Sequence, residues 1–302
     1  MSTRAMGPGA GLGWLKNAIN LGRHNAKAVF GAVALMALVA LVPSLVQLLL
    51  QQGLGVGPQS MLMVAGLLTL AMIVVYPLLV GGMLRVIHAS ENGQPTHATA
   101  LFDTFRAGNG AGRLIGFGVL LTAIYITVFL AVIMAVGKDF LSWYMQVINL
   151  SLQAGDPSQL PALPALPEGF GTLMALGTLV GLFFGGIYAI GFGQITLAGR
   201  TIGEALADGV GGTLKNLLPL LVLAVVVFVA MIVLMIVVAL VGGLLMLIGG
   251  LVHQSLALLL LAPVYLGMLL VMYVVMFGVM YFMWRDVCGD PPPTADADHV
   301  EA

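Results

Sequence analysis

The chain has 302 residues, of which 60% are hydrophobic and 8% are charged, and its formal net charge at pH 7 is −1. A soluble domain carries about 25% charged residues, so a water-soluble globular fold is excluded for a chain with this much apolar surface. The basic residues are few and scattered, which argues against a nucleic-acid partner, because such proteins carry a basic stripe or patch.

Six apolar segments follow one another along the chain, and each reaches the roughly 20 residues that a bilayer crossing needs. None contains Asp, Glu, Lys or Arg. We predict an all-α polytopic membrane helix bundle, with a transmembrane domain at 14–286 between a disordered arm at 1–13 and a disordered tail at 287–302. The predicted spans are 28–50, 61–84, 114–136, 171–198, 217–241 and 256–284.

A signal peptide is the alternative interpretation of residues 14–50. Its apolar core, Ala28–Leu50, would have 23 residues, whereas such cores have about 7–15. No convincing small-residue cleavage site follows this core. We therefore expect the first span to be retained.

Two connections carry their own signals. The apolar run after Leu217 continues to Leu251, so we expect span 5 to end near 241, with Gly242-Gly243 and Gly249-Gly250 marking a frayed exit. Loop 3, at 137–170, is rich in proline, which favours an extended and poorly hydrogen-bonded path. Its prolines are Pro157, Pro161, Pro164 and Pro167.

Basic residues lie almost entirely on one side of the predicted spans. Ten of the 11 Lys and Arg fall in the N-terminal arm, loop 2 (85–113), loop 4 (199–216) or the tail, and only Lys138 falls in an odd-numbered loop. Because basic residues are retained on the cytoplasmic face, we predict that both termini are cytoplasmic. The expected location is the bacterial inner (plasma) membrane.

A short amphipathic stretch precedes each odd-numbered span. In the first, Trp14 and Leu15 lie on one arc of a helical wheel, opposite Lys16 and Arg23, as in helices that lie in the membrane interface. The later two align by residue: Ala100-Leu101-Phe102-Asp103 matches Ala205-Leu206-Ala207-Asp208, and a base follows each, Arg113 or Lys215. We interpret these as three copies of one unit, an interfacial helix and two spans; the alternative is chance amphipathicity in polar loops.

The repeat makes Asp103 and Asp208 equivalent interfacial residues, each pairing with a nearby base or capping backbone N–H groups. Arg106 and Arg113 are the candidate partners of the first aspartate, and Arg200 and Lys215 those of the second. The residues to which we assign an interfacial structural role are Trp14, Asp103, Arg113, Asp208, Lys215, Trp284, Arg285 and Asp286.

Small residues recur every four positions in span 4. Such spacing forms a groove in which a second helix backbone can approach closely. We expect packing inside the bundle along this groove, Gly181 and Gly185 in particular, with a homodimer face as the alternative. The residues are Gly177, Gly181, Gly185, Ala189 and Gly193.

The sequence offers no catalytic constellation, and no cofactor or metal is predicted. Cys288 is the only cysteine, which excludes an intrachain disulfide and a two-cysteine metal site. His88 and His97 lack a third ligand, so we interpret both as solvated loop histidines. The uncharged polar residues of the spans are interface anchors or interhelical hydrogen-bonding groups; lining of a pore or pocket is the alternative.

Three segments carry a resemblance to a known group: Trp14-Leu15-Lys16 through Arg23, Leu101-Phe102-Asp103-Thr104-Phe105, and Tyr281-x-x-Trp284-Arg285-Asp286-Val287. They resemble a family of six-span bacterial inner-membrane proteins whose layout is similar to the membrane domain of some glycerophosphodiester phosphodiesterases. The soluble catalytic domain of those enzymes has no counterpart here. The resemblance therefore implies fold and location, and not phosphodiesterase activity.

The expected function is that of a non-enzymatic integral membrane protein that organises lipid, envelope components or partner proteins. Membrane lipids and other membrane proteins are the expected partners. The alternative is a transporter or channel for a small neutral or amphiphilic solute, and an enzyme comes third.

Overall fold

The computed structural model describes residues 3–106, 108–154, 163–250 and 253–289. All regular structure in these ranges is helical, which confirms the all-α fold class. Six helices are long and apolar enough to cross a membrane. The chain is therefore a multi-pass membrane protein by the length and composition of its helices.

The helix boundaries extend most predicted spans at one or both ends. The six long helices are α2, α3, α4, α6, α8 and α9. In chain order the elements are α1 (Ala10–Ile19), α2 (Ala26–Gly53), α3 (Pro58–Glu91), a 3-10 helix (Ala98–Phe105), α4 (Ala111–Val136), α5 (Lys138–Ala154), α6 (Phe170–Thr196), α7 (Ile202–Lys215), α8 (Leu217–Gly250) and α9 (Gln254–Cys288).

The chain divides into two compact units. The larger consists of Met1–Val119 and Gly186–Ala302, and the smaller of Leu120–Gly185. The core of the larger unit lies where the ends of α3, α6 and α9 meet the short helices. Its largest fully buried side chains are Trp14, Leu79, Met83, Leu84, Ile87, Leu101, Leu114, Phe117, Phe192, Phe277 and Tyr281.

Helix α8 continues to Gly250, so the prediction that span 5 ends near 241 is wrong. Gly242 is buried, and a Cβ there would lie 3.3 Å from Leu261 Cδ1 on α9. The glycine therefore lets α9 approach α8. In a bilayer the backbone has no water to bind, so a helix can continue through a Gly-Gly pair that would interrupt it elsewhere.

Loop 3 begins with a helix that the proline pattern did not predict. Helix α5 carries aromatic residues on one face: the rings of Phe140 and Trp143 are 5.8 Å apart, and Phe140 and Phe170 are 6.1 Å apart. The Trp143 indole N–H donates to the carbonyl oxygen of Pro164 over 3.2 Å. Aromatic packing within the smaller unit thus favours helix over the predicted extended path. Pro157 and Pro161 lie outside the described residues.

The arm that was predicted to be disordered is ordered from Thr3 onward, and its last residues form the start of α1. The Arg4 guanidinium donates to the carbonyl oxygens of Arg285, Asp286 and Gly289. These carbonyls lie at the C-terminal end of α9, where the helix dipole makes a cation favourable. Of the predicted tail, 287 and 288 belong to α9, and 290–302 lie outside the described residues.

The order of elements follows the predicted repeat. A short helix precedes each pair of long helices: α1 before α2 and α3, the 3-10 helix before α4 and α6, and α7 before α8 and α9. Each short helix packs against the preceding pair, and α7 also contacts α9 of its own pair. The 3-10 helix contacts α2 and α3, α7 contacts the end of α6, and α1 contacts α8 and α9.

A glycine on the second long helix of each pair admits the short helix. A Cβ at Gly82 of α3 would overlap the carbonyl oxygen of Leu101 in the 3-10 helix. A Cβ at Gly186 of α6 would lie 2.6 Å from Thr213 Oγ1 of α7. A Cβ at Gly278 of α9 would lie 2.8 Å from Ala18 Cβ of α1. The three contacts form a closed ring, because the first short helix packs on the last pair.

Candidate functional site

A hydrogen-bonded aromatic and amide cluster joins α3, α6 and α9 where they meet the short helices. The Trp284 indole N–H donates to Gln194 Oε1 over 3.4 Å, and Gln194 Nε2 donates to Asp208 Oδ2 over 2.6 Å. The Tyr281 hydroxyl lies 3.3 Å from His88 Nδ1. The His88 ring also meets Tyr281 and Trp284 edge-on, with centroids 5.9 and 6.2 Å apart. We name these five residues the aromatic–amide cluster.

Gly193 makes the cluster possible. A Cβ at this position would overlap the Trp284 ring, so only glycine lets the indole lie flat against the α6 backbone. Trp284 is 6% exposed and Gln194 1% exposed. Because buried polar groups are costly when unpaired, their mutual hydrogen bond and the Gln194 bond to Asp208 fix the relative positions of α6, α7 and α9.

His88 belongs to α3 and is half-buried, so its interpretation as a solvated loop histidine is wrong. The helix continues past the last apolar residue to Glu91 because the contacts with α9 cover this turn. His97 precedes the 3-10 helix and is exposed. Within the described residues no group of three or more His, Cys, Asp and Glu side chains is placed to hold a metal ion.

The two ends of the larger unit meet at Asp286. Its Oδ2 accepts a 3.0 Å hydrogen bond from the Trp14 indole N–H, and its Oδ1 lies 3.2 Å from Arg285 Nε. Arg4 binds the backbone of the same turn. We name Arg4, Trp14, Arg285 and Asp286 the terminal clamp. Three of the residues assigned an interfacial role therefore act together. The sequence pattern did not predict the role of Arg4, whose charge was its only distinguishing feature.

Asp286 and Gln194 occupy equivalent places in the repeat. Each lies eight residues after the glycine that admits the short helix, Gly278 or Gly186, and each binds a side chain of that helix. The third place is held by Ser90, whose buried hydroxyl has no hydrogen-bond partner among the described residues. The repeat thus places a polar side chain at the same contact three times.

The predicted partners of the paired aspartates are right for one residue and wrong for the other. Asp103 Oδ1 lies 3.3 Å from Arg106 Nη1. Asp208 binds neither Arg200 nor Lys215, and its observed partner is the Gln194 amide. Lys215 is seven residues further along α7, and its ammonium binds Thr3 instead.

The other predicted bases make contacts of their own. Lys215 Nζ donates to the carbonyl oxygen and the hydroxyl of Thr3, over 2.9 and 3.0 Å. Arg113 donates to the carbonyl oxygens of Gly199 and Arg200, which joins the start of α4 to the turn between α6 and α7.

The start of α7 is fixed by a capping box. Thr201 accepts from the backbone N–H of Glu204, while the Glu204 carboxylate accepts from the Thr201 backbone N–H and hydroxyl. These hydrogen bonds, the backbone one first, lower the pKa of the Glu204 carboxyl below its ordinary value. The nearby Arg200, 3.3 Å away, acts in the same direction.

The small-residue stripe of span 4 does not form one packing face. Gly193 and Ala189 are packed, but a Cβ at Gly181 or Gly185 would meet no atom within 4 Å. At Gly177 it would lie 3.6 Å from Phe129. Residues four apart differ by about 40° on a helix, so the two ends of the stripe point about 160° apart. The prediction of close packing along Gly181 and Gly185 is therefore wrong; the homodimer alternative stays a prediction.

No family model, curated protein or solved structure matches this chain. The resemblance to six-span inner-membrane proteins stays a prediction.

Proposed function

We propose that this chain is a non-enzymatic integral membrane protein that organises lipid, envelope components or partner proteins around its long helices. The observation that carries the proposal is the uneven burial of those helices. In the most apolar 18-residue windows, 6% of the residues are buried in α8 and in α9, 11% in α4 and at most 33% in any of the six. Most of their apolar surface is therefore offered to molecules other than this chain.

The nature of that surface favours lipid or apolar protein partners. Large side chains such as Phe228, Leu240 and Leu259 are 67–70% exposed. In a bilayer such residues are covered by acyl chains or by other apolar helices, with packing as the driving force. The aromatic–amide cluster and the terminal clamp hold one end of the helices in place. The exposed apolar stretches therefore extend from an end whose helix positions are fixed.

The same proposal places the chain in the bacterial inner membrane with both termini in the cytoplasm. The support is the distribution of bases: Arg4, Arg113, Lys215 and Arg285 lie at the end of the helices where the short helices pack. Lys and Arg are retained on the cytoplasmic side during insertion.

Transport of a small neutral or amphiphilic solute is the second candidate. It is favoured by three tyrosines, Tyr76 on α3, Tyr188 on α6 and Tyr273 on α9. Tyr76 is close enough to each of the other two to interact with it electrostatically. None of the hydrogen bonds in the described residues uses their hydroxyls, so these groups are available to a hydroxylated ligand.

Native mass spectrometry of the protein purified from its own membrane tests the first proposal. We expect retained phospholipid or a retained membrane protein. The first proposal would be contradicted if neither were retained and vesicles containing the protein took up solute. Loss of that uptake on replacing the three tyrosines with Phe would favour transport.

A further inference from the structure

One flank of α1 is apolar and basic but does not touch the rest of the protein. Leu12 and Ile19 are 53% and 63% exposed, although their neighbours Trp14 and Ala18 are fully buried against α8 and α9. Leu12 and Ile19 are seven residues apart, so they lie on the same side of the helix, and the exposed Lys16 lies between them. Most of the apolar arc predicted for the membrane interface is thus buried in protein, whereas Ile19 of that arc is exposed on the same flank as Leu12.

The bases beside this flank differ from nearly all others in the chain. Lys16, Arg23 and Lys27 are exposed and make no ion pair or hydrogen bond among the described residues. Lys138, beyond the opposite end of the spans, is the other such base. The remaining bases are all engaged with carboxylates or with backbone and side-chain oxygens: Arg4, Arg85, Arg106, Arg113, Arg200, Lys215 and Arg285.

Bases predominate in the sequence around this flank, and the acids that approach it in space are Glu91, beside His24, and Asp286, which accepts from Trp14. The first 90 residues contain no Asp or Glu, and the first acid, Glu91, lies 3.8 Å from His24 Nδ1. Lys27 belongs to the first turn of α2 and directly precedes the apolar run at 28–50. Lys27 therefore lies where the apolar surface of the first span ends, and Arg23 precedes it by four residues in the turn before α2.

We infer that this region, the α1 flank (Leu12, Lys16, Ile19, Arg23 and Lys27), binds the headgroups of anionic phospholipids. The inference rests on the proposed function and names the class of lipid. Leu12 and Ile19 insert among the upper acyl chains, while the lysine stem of Lys16 follows them and its ammonium reaches the phosphate. Arg23 and Lys27 add charge where basic residues next to a span attract anionic lipid.

The test is a lipid titration of the purified full chain in detergent, followed by native mass spectrometry with phosphatidylglycerol and phosphatidylcholine. We expect a preference for phosphatidylglycerol that weakens with salt. The variant Lys16→Gln, Arg23→Gln, Lys27→Gln should lower that preference about tenfold or more, since one base near the surface contributes about fivefold. The charge-conserving variant Lys16→Arg, Arg23→Lys, Lys27→Arg should keep it.

A matched control removes three bases elsewhere: Arg106→Gln, Lys138→Gln and Arg200→Gln, which should leave the preference unchanged. An equal loss of the phosphatidylglycerol preference in the control variant would show that only the net charge matters, and it would overturn the inference. Where the first triple variant inserts poorly, the single variants Lys16→Gln and Arg23→Gln should each lower the preference about fivefold, and unchanged binding in both overturns it as well.

Two further outcomes separate the inference from the proposal beneath it. Retention of both lipids without preference would overturn the anionic site and leave the lipid-organising function standing, whereas retention of neither lipid nor protein would contradict the function itself. At matched ionic strength, inorganic phosphate should displace phosphatidylglycerol no more than chloride does, because Leu12 and Ile19 contribute only with an acyl chain present. Stronger displacement by phosphate than by chloride would show a simple anion site and contradict the lipid assignment.

Discussion

The indole of Trp284 lies against the backbone of Gly193 so closely that a side chain at position 193 would overlap it. This one contact brings α9 onto α6 and places the indole N–H on Gln194 Oε1. A tryptophan near the end of the last span is an expected interfacial residue, but here its exposed fraction is 6% and its partner is another helix.

Gly193 and Gly185 provide a matched pair for testing this contact. Gly193→Ala should lower the melting temperature in detergent, since overpacking commonly costs about 1–3 kcal/mol. Gly185→Ala should be neutral or slightly stabilising, because the site is open and alanine favours helix over glycine by up to about 1 kcal/mol. Equal melting of the two variants would contradict the Trp284 contact.

Removal of Arg4 should loosen the end of α9. Arg4→Gln leaves three terminal carbonyls without their charged donor, so we expect faster amide exchange over residues 285–289 than in the unmodified protein. Arg106→Gln, which breaks an exposed pair with Asp103, is the control and should leave that exchange unchanged.

Gln194 is expected to matter more than either predicted aspartate. Asp103→Asn and Asp208→Asn should each give a folded, inserted protein, because the first pair is exposed and the second retains an oxygen acceptor for the Gln194 amide. Gln194→Leu should destabilise by about 1–3 kcal/mol, since it removes the partner of both Trp284 and Asp208. The melting temperatures of the three variants are compared in one detergent. An Asn variant that melts below Gln194→Leu would contradict the prediction.

The capping box makes the stability of α7 depend on pH. Hydrogen bonds from Thr201 hold the pKa of Glu204 below its ordinary value of 4.5. A carboxyl with a lowered pKa contributes stability above its unfolded pKa and loses it as the pH falls through the folded one. The difference in melting temperature between the unmodified protein and Glu204→Gln should therefore shrink as the pH falls below about 4.5, and a difference independent of pH would contradict the capping role of the charge.

Topology can be read with fusions. Alkaline phosphatase fused after residue 302 should be inactive. The same enzyme inserted in loop 3 at a site within 163–166, past α5, should be active. The physical reason is the retention of ten of the 11 bases on one side. The reverse pattern would overturn the proposed orientation.

The sequence was most informative where a single physical requirement decides the structure. The length of an apolar run sets a span, and all six long helices follow from it. It was least informative where a tertiary contact decides. Packing against α9 extends α3 to His88 and beyond, and the aromatic contacts of Phe140 and Trp143 hold α5 as a helix.

The stripe of span 4 failed for a different reason. Spacing of four predicts a groove, but each step turns it by about 40°, so no one neighbouring helix follows it from Gly177 to Gly193. Of the stripe, only its last glycine, Gly193, closely admits another element, the Trp284 ring, and the other such glycines of α6 lie beside the stripe. Gly186 admits Thr213 and Gly191 admits the Phe117 ring, and only their partners identify them.

The seat of α1 is formed by α8 and α9, which follow the other described helices along the chain. A Cβ at Gly11 would overlap the carbonyl oxygen of Pro219 on α8, Trp14 binds Asp286 on α9, and Arg4 reaches 282 residues along the chain to the same turn. A nascent chain therefore holds its first helix without a partner until the final pair of long helices has been inserted. Closure of the ring is thus a contact of large sequence separation that must wait for α8 and α9, and it completes the burial of Trp14.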